Sequence, residues 1–184
     1  MKSLLFCLLL GSYSALAQSH KPAPPSASLV DKFFGFRDVG LETDIADHPE
    51  MKAIVGADSV ESDPDKTYYF RPRENPQIGE TKATLIQYFY YKDKAEGVLV
   101  VVTGAAERQK LLTALRAKYG APTQAPAAAK AKSPQEEPYL WTGKKATLTL
   151  SKTGANGEAS LLLLSNALWQ REQADRKRKA GAGL

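Results

Sequence analysis

The chain has 184 residues, a formal net charge of +5 at pH 7 and a single cysteine, a length that suits one domain able to bury about two-thirds of the surface its unfolded chain exposes. The sole cysteine, Cys7, excludes an intrachain disulfide. The basic excess is local: Arg171, Arg176, Lys177, Arg178 and Lys179 stand against Glu172 and Asp175 in residues 171–184, so the remaining body is nearly neutral and no basic face for nucleic acid is expected.

Residues 1–17 have the pattern of a secretory signal peptide, with Lys2 as a positive start, an apolar run over Leu4–Leu10 and the small-x-small site Ala15-Leu16-Ala17. The run is too short for a spanning helix, and no later stretch approaches the roughly 20 apolar residues a bilayer requires. The mature chain is therefore expected to be exported, periplasmic or secreted, without an integral membrane segment. Cys7 follows Leu4-Leu5-Phe6, where a lipidated cysteine would need a small neighbour, and it leaves with the signal, taking with it any thiol nucleophile or thiolate ligand.

Residues 18–28, with Pro22, Pro24 and Pro25, read as a flexible leader. The α+β domain is expected over 29–166, beginning with a strand at Phe33–Val39. Asp47 ahead of Pro49 suggests a short helix over Glu50–Val55, ended by Gly56. Thr67–Pro72 reads as a second strand, confined by Pro72 and Pro76 to an edge or an end. Thr81–Tyr91 and Val98–Thr103 are both strand-like and flank a polar turn at Lys92–Gly97, an antiparallel hairpin whose first arm is apolar on both faces and so belongs inside a sheet.

Ala105–Tyr119 has the clearest helical pattern, with Leu111, Leu112, Leu115 and Tyr119 on one side and a stop at Gly120 and Pro122. Residues 121–138 carry four prolines and read as a mobile loop. Tyr139–Ser151 reads as one strand, and Ala159–Leu164 returns as its partner across Gly154-Ala155-Asn156-Gly157. Asn166 is placed to cap a final basic helix within 167–184, whose apolar content is limited to Leu168 and Trp169 and whose last turns are expected to fray.

Chemistry-bearing patterns are sparse. Only His20 and His48 are available for acid/base or metal work; His20 lies in the leader and His48 reads as an exposed loop residue. Lys152-Thr153-Gly154 reproduces the triplet of penicillin-recognising enzymes, but no serine has lysine three residues later, so strand end plus turn is the better reading. Asp58, Glu61, Asp63 and Asp65 lack the central glycine and terminal glutamate of a calcium loop. Glu136-Glu137 are adjacent in a loop and cannot face each other across a cleft, and Gly143-Lys144-Lys145 lacks the remaining parts of a phosphate loop. No catalytic residue, metal site or cofactor is expected. The binding candidates are aromatics with arginines nearby: Tyr69, Arg71 and Arg73 within Tyr68–Arg73, together with Tyr139 and Trp141.

From Phe33 to its end the chain resembles a group of small exported bacterial proteins of unknown function. The likeness rests on Phe34-Gly35-Phe36-Arg37-Asp38, the hairpin ending in Val98–Thr103, Leu115 through Tyr119-Gly120, Trp141-x-Gly143 before an alternating strand, and Ser165 leading into a basic tail. It implies export and a shared fold, and no activity.

The expected architecture is an antiparallel sheet of about six strands with the Ala105–Tyr119 helix on one face and a helical tail. Three functions remain open. One is a non-catalytic binding module for an envelope protein or glycan. A second is an envelope hydrolase working with carboxylates only. The third is an assembly accessory whose basic tail contacts an anionic surface.

Overall fold

The computed structural model describes residues 28–54, 64–126, 138–154 and 157–182. A first helical turn, α1 (Leu29–Lys32), drops Val30 into the core and leads into a two-residue hairpin of β1 (Gly35–Phe36) and β2 (Val39–Gly40). The segment expected as one strand over Phe33–Val39 is therefore folded back on itself. Arg37 turns the chain at φ 59°, and Gly35 lies so close to the Val39 carbonyl that a side chain there would collide with it.

The helix expected over Glu50–Val55 is also displaced. A single 3-10 turn occupies Ile45–Asp47, with Asp44 as its cap: Asp44 accepts from the Ala46 N–H and Asp47 reaches back to the Asp44 N–H. His48 ends that turn, and β3 (Lys52–Ala53) follows where helix was anticipated. Gly56 lies outside the described residues.

Then come β4 (Lys66–Phe70), a small hairpin of β5 (Gln77–Ile78) and β6 (Thr81–Lys82), and the long hairpin of β7 (Leu85–Tyr91) and β8 (Lys94–Val102). The turn of the long hairpin is shorter than the expected Lys92–Gly97. Lys92 and Asp93 both adopt left-handed φ, 50° and 64°, and make the tight reversal that glycine normally makes. A register shift between Phe89 and Tyr90 absorbs one extra residue of β8, Glu96.

α2 (Ala105–Tyr119) begins after Gly104 and ends at Gly120, whose φ of 78° turns the chain out of the helix. The expected strand Tyr139–Ser151 is two strands, β9 (Tyr139–Thr142) and β10 (Ala146–Lys152), reversed at Gly143–Lys145. With β11 (Ala159–Ser165) they complete a seven-stranded antiparallel sheet in the order β3-β4-β7-β8-β11-β10-β9. The α+β class with one main helix and a C-terminal helix is as expected; the sheet gains β3 and the splitting of the Tyr139–Ser151 strand at Gly143, and lacks the expected Phe33–Val39 strand, which forms the separate β1–β2 hairpin. The first residues of the expected 121–138 loop are tied down: Thr123 donates its N–H to the Leu140 carbonyl, and Gln124 bridges Leu140 on the free edge of β9.

Strand register places Tyr88, Val98, Val100, Leu161, Leu163, Leu148 and Trp141 on one face, and these form the main core with Leu111, Leu112, Leu115 and Tyr119 of α2. At about 1.5–3 kcal/mol for each large apolar side chain, the α2 stripe alone accounts for its docking. The final helix, α3 (Asn166–Ala182), lies at the other face near the buried Phe89 and Tyr91. Among the described residues no helix is long and apolar enough to cross a membrane.

Candidate functional site

The five sequence candidates fall at two separate places. Tyr69 is in β4 and Arg71 and Arg73 just follow it, whereas Tyr139 and Trp141 are in β9, five strands away, roughly 24 Å at the usual strand spacing. The structure does not bring the two groups together.

At the β4 end, Tyr69 packs edge-to-face on the buried Tyr90 with ring centroids 5.1 Å apart. Arg71 has both terminal nitrogens engaged by carboxylates of the protein. It makes a two-pronged contact with Asp38 at 2.8 and 3.1 Å, reaches Glu50 at 2.8 Å and lies over the Tyr88 ring. The Asp38 hydrogen bond is the main influence raising its pKa, and Arg71 in turn holds Asp38 below its ordinary value. Arg37 adds a second knot by pairing with Glu74, which also accepts the Tyr88 hydroxyl at 3.1 Å. Arg73 is exposed in a turn at φ 61°.

His48 is buried, not the exposed loop residue expected. Its Nε2 lies 3.3 Å from Thr43 Oγ1 and its Nδ1 3.7 Å from Glu50, so both ring nitrogens face partners in the protein. Lys152-Thr153-Gly154 ends β10 and enters a turn. Asp58, Glu61, Asp63, Glu136 and Glu137 lie outside the described residues; Asp65 pairs with Lys179 at 3.1 Å. Among the described residues no cluster of three or more His, Cys, Asp or Glu is placed to hold a metal ion.

The β9 end carries an open groove of about 1010 Å³ between α1, the end of α2 and the β9–β10 reversal. Its apolar surface comes from Leu29, Tyr119, Ala121 and Trp141, and its charges from Lys32, Lys144 and Lys145. Trp141 is fixed as part of the wall: it is 2% exposed and donates its indole N–H to the Gly120 carbonyl at 2.9 Å, which ties β9 to the end of α2. Lys118 stands over the Tyr119 and Phe33 rings at the same end of α2. Lys32, Lys118, Lys144 and Lys145 are all exposed, and among the described residues none of the four ammonium groups is paired with a carboxylate.

The groove's one carboxylate, Asp31, is already engaged. It accepts the N–H groups of Lys144 at 2.7 Å, Lys145 at 2.8 Å and Ala146 at 3.1 Å. Burial opposes its ionisation, but the Lys145, Lys144 and Ala146 amides, joined by the Lys145 charge, overcome that and hold its pKa below 3.8. A side chain at Gly143 would run into this carboxylate, which is why glycine stands there. The run Gly143-Lys144-Lys145 fails as a phosphate loop in sequence, yet the amides of Lys144, Lys145 and Ala146 do converge on an anion, the molecule's own Asp31. Asn166 locks the same turn from behind through the Gly143 and Lys144 carbonyls.

Sequence reasoning found Trp141 and missed Asp31, Lys32 and the lysines of the turn. The legible signal was Gly143 followed by two lysines directly after Trp141; the partner Asp31, 112 residues before Gly143, was not legible. Comparison with protein-family models, with characterised proteins and with solved structures gives no match for this chain.

Proposed function

We propose that the protein is an exported, non-catalytic binding module whose groove beside Trp141 takes a ligand with an apolar body and an anionic group, such as an acidic stretch of an envelope protein or glycan. The observation that carries this reading is the set of three ammonium groups, of Lys32, Lys144 and Lys145, lining an apolar-walled groove without a carboxylate partner among the described residues, while the oxygens of Asp31 are already engaged by backbone N–H groups. Charges held over apolar walls favour an anion more strongly than charges in open water. Export rests on the signal-like residues 1–17 and on the resemblance to exported bacterial proteins.

The carboxylate-only hydrolase draws no support from this groove, because Asp31 is held ionised and occupied by three donors. The accessory reading through the basic tail draws less support than the groove does. Arg176, Arg178 and Lys179 are paired with Glu172, Asp175 and Asp65, which leaves Arg171 and Lys177 as the tail's outward charges.

The test compares two dyes of matched shape, the anionic anilinonaphthalene sulfonate and neutral N-phenyl-1-naphthylamine. The anionic dye is expected to bind about three- to tenfold more tightly, and the difference to vanish in the Lys144→Glu, Lys145→Glu double variant. Equal binding of both dyes, or an anionic preference that survives the double variant, refutes the proposal.

A further inference from the structure

α3 is docked on the sheet in an unusual manner for a surface helix. The side chains it buries follow the spacing i, i+4, i+7, but only the first is apolar: Leu168, Glu172 and Asp175 are 8%, 0% and 7% exposed. Asp175 accepts from the Tyr91 hydroxyl at 2.6 Å and from Lys92 at 2.6 Å. Glu172 takes the Lys66 ammonium at 2.9 and 3.0 Å and is also gripped by Arg176 at 2.8 Å.

The same Lys66 ammonium lies 2.8 Å from a second carboxyl, that of Glu96, the extra residue of the β8 bulge, which is 0% exposed. One ammonium from β4 is thus wedged between a carboxyl from β8 and a carboxyl from α3. Both Glu96 oxygens are buried without a hydrogen-bond donor among the described residues, since the Lys66 contact is an ion pair outside hydrogen-bonding geometry. A proton on Glu96 resolves this, because it makes that carboxyl the donor to its neighbour and removes one of two like charges from a fully buried site.

We infer that α3 is a latch operated by the proton on Glu96: with the proton present the helix is docked across the hairpin end of the sheet, and with the proton removed two carboxylates share one ammonium and the helix is pushed off. Burial first, and then the closeness of Glu172, push the Glu96 carboxyl up to about 7 against the pull of Lys66, so the switch lies near neutrality. Glu172 is opposed by burial but kept below its ordinary value by Glu96, Lys66 and Arg176, so it is the partner that stays ionised. Arg176, on Glu172, offsets part of that repulsion, and the remaining charged groups at this end have partners of their own. Lys92 and Arg178 pair with Asp175, Lys179 with Asp65, and Lys94 with Asp44 on the far side of the hairpin. Release would uncover Tyr91 and free Lys66, which lies over the Phe89 ring, next to Leu99 and Leu164, already half-exposed on that face.

Hydrogen exchange of the full chain tests the latch, with α2 as an internal reference that does not touch the cluster. Between pH 5 and pH 8, protection of the α3 amides is expected to fall about tenfold or more relative to α2, since each pH unit between the ordinary value of the carboxyl, 4.5, and its docked value can cost up to a factor of ten, and to level off above that. Glu96→Gln keeps a donor facing Glu172 and is expected to abolish the fall. Glu172→Gln leaves one carboxylate on Lys66 and should abolish it as well, which covers the case of one variant failing to fold. A wild-type ratio that does not change with pH, or a fall that persists in a folded variant of either kind, overturns the inference.

Discussion

Asp31 shows how one side chain sets the position of several others. Its carboxylate ties α1 to the reversal between β9 and β10, and that reversal carries Lys144 and Lys145. Asp31→Ala strands three N–H groups and is expected to cost about 1–2 kcal/mol, the bonds being partly solvated. Gly143→Ala should cost a comparable amount, because its methyl and the carboxylate compete for one volume. The two effects share a cause, so they should not add: in the Asp31→Ala background Gly143→Ala is expected to be nearly neutral, and a urea double-mutant cycle reads the difference. Full additivity would mean that Gly143 serves the turn alone. This residue-scale coupling also explains what sequence could and could not reveal about the site. Trp141 was legible by residue type, whereas Asp31 is an ordinary acidic residue whose role exists only once distant segments meet. Arg71 illustrates the reverse, a residue suited to binding whose charge is consumed by Asp38 and Glu50.

At the scale of elements, α3 depends on its first turn as well as on its buried charges. Ser165, fully buried at the end of β11, accepts the Leu168 N–H at 3.3 Å and donates to Glu42 at 2.6 Å, so it caps the helix. Asn166, the expected cap, is the first helical residue and spends its side chain on Thr147, Gly143 and Lys144. Ser165→Ala is expected to lower stability by about 1–2 kcal/mol in urea denaturation and to speed exchange in α3 before α2. A loss below a few tenths would show the cap to be dispensable. The elements that could be read in the sequence were those with an apolar period. The β7–β8 hairpin, α2, and the strands β10 and β11 each announce themselves by alternation or by a leucine stripe. What escaped was set by backbone geometry or by buried charge. Non-glycine residues hold left-handed φ at Arg37, Lys92 and Asp93, and Glu172 and Asp175 occupy positions where an apolar stripe would continue. Hydropathy reads those two acids as solvated, which is why the end of α3 was expected to fray.

For the whole molecule, the displaced titrations divide by sign, and together they place the optimum of stability. Lys92 first and the Tyr91 hydroxyl second bring Asp175 down to about 2, and Lys110 does the same for Glu107. Asp38 is lowered by Arg71, and Asp44 by the Ala46 N–H. A carboxyl whose pKa is lower in the folded state stabilises fully above its unfolded value, and the contribution is lost as pH falls toward the folded one. The acid limb should therefore run from about pH 4 down to about pH 2. Glu96 has the opposite sign. Its folded pKa of about 7 lies above the ordinary 4.5, so its contribution is complete in acid and is lost as pH rises through neutrality. Tyr88 and Tyr90, pushed by burial to about 12, repeat that sign further up. Stability measured by urea midpoint should thus peak near pH 4–5, decline to about pH 7, level off, and fall steeply above pH 10. Phenolate absorbance should show Tyr88 and Tyr90 ionising together with unfolding rather than before it. A stability maximum at pH 8 or above would contradict the sign assigned to Glu96, because the lowered carboxylates alone give a plateau there and only a raised buried carboxyl moves the optimum into weak acid.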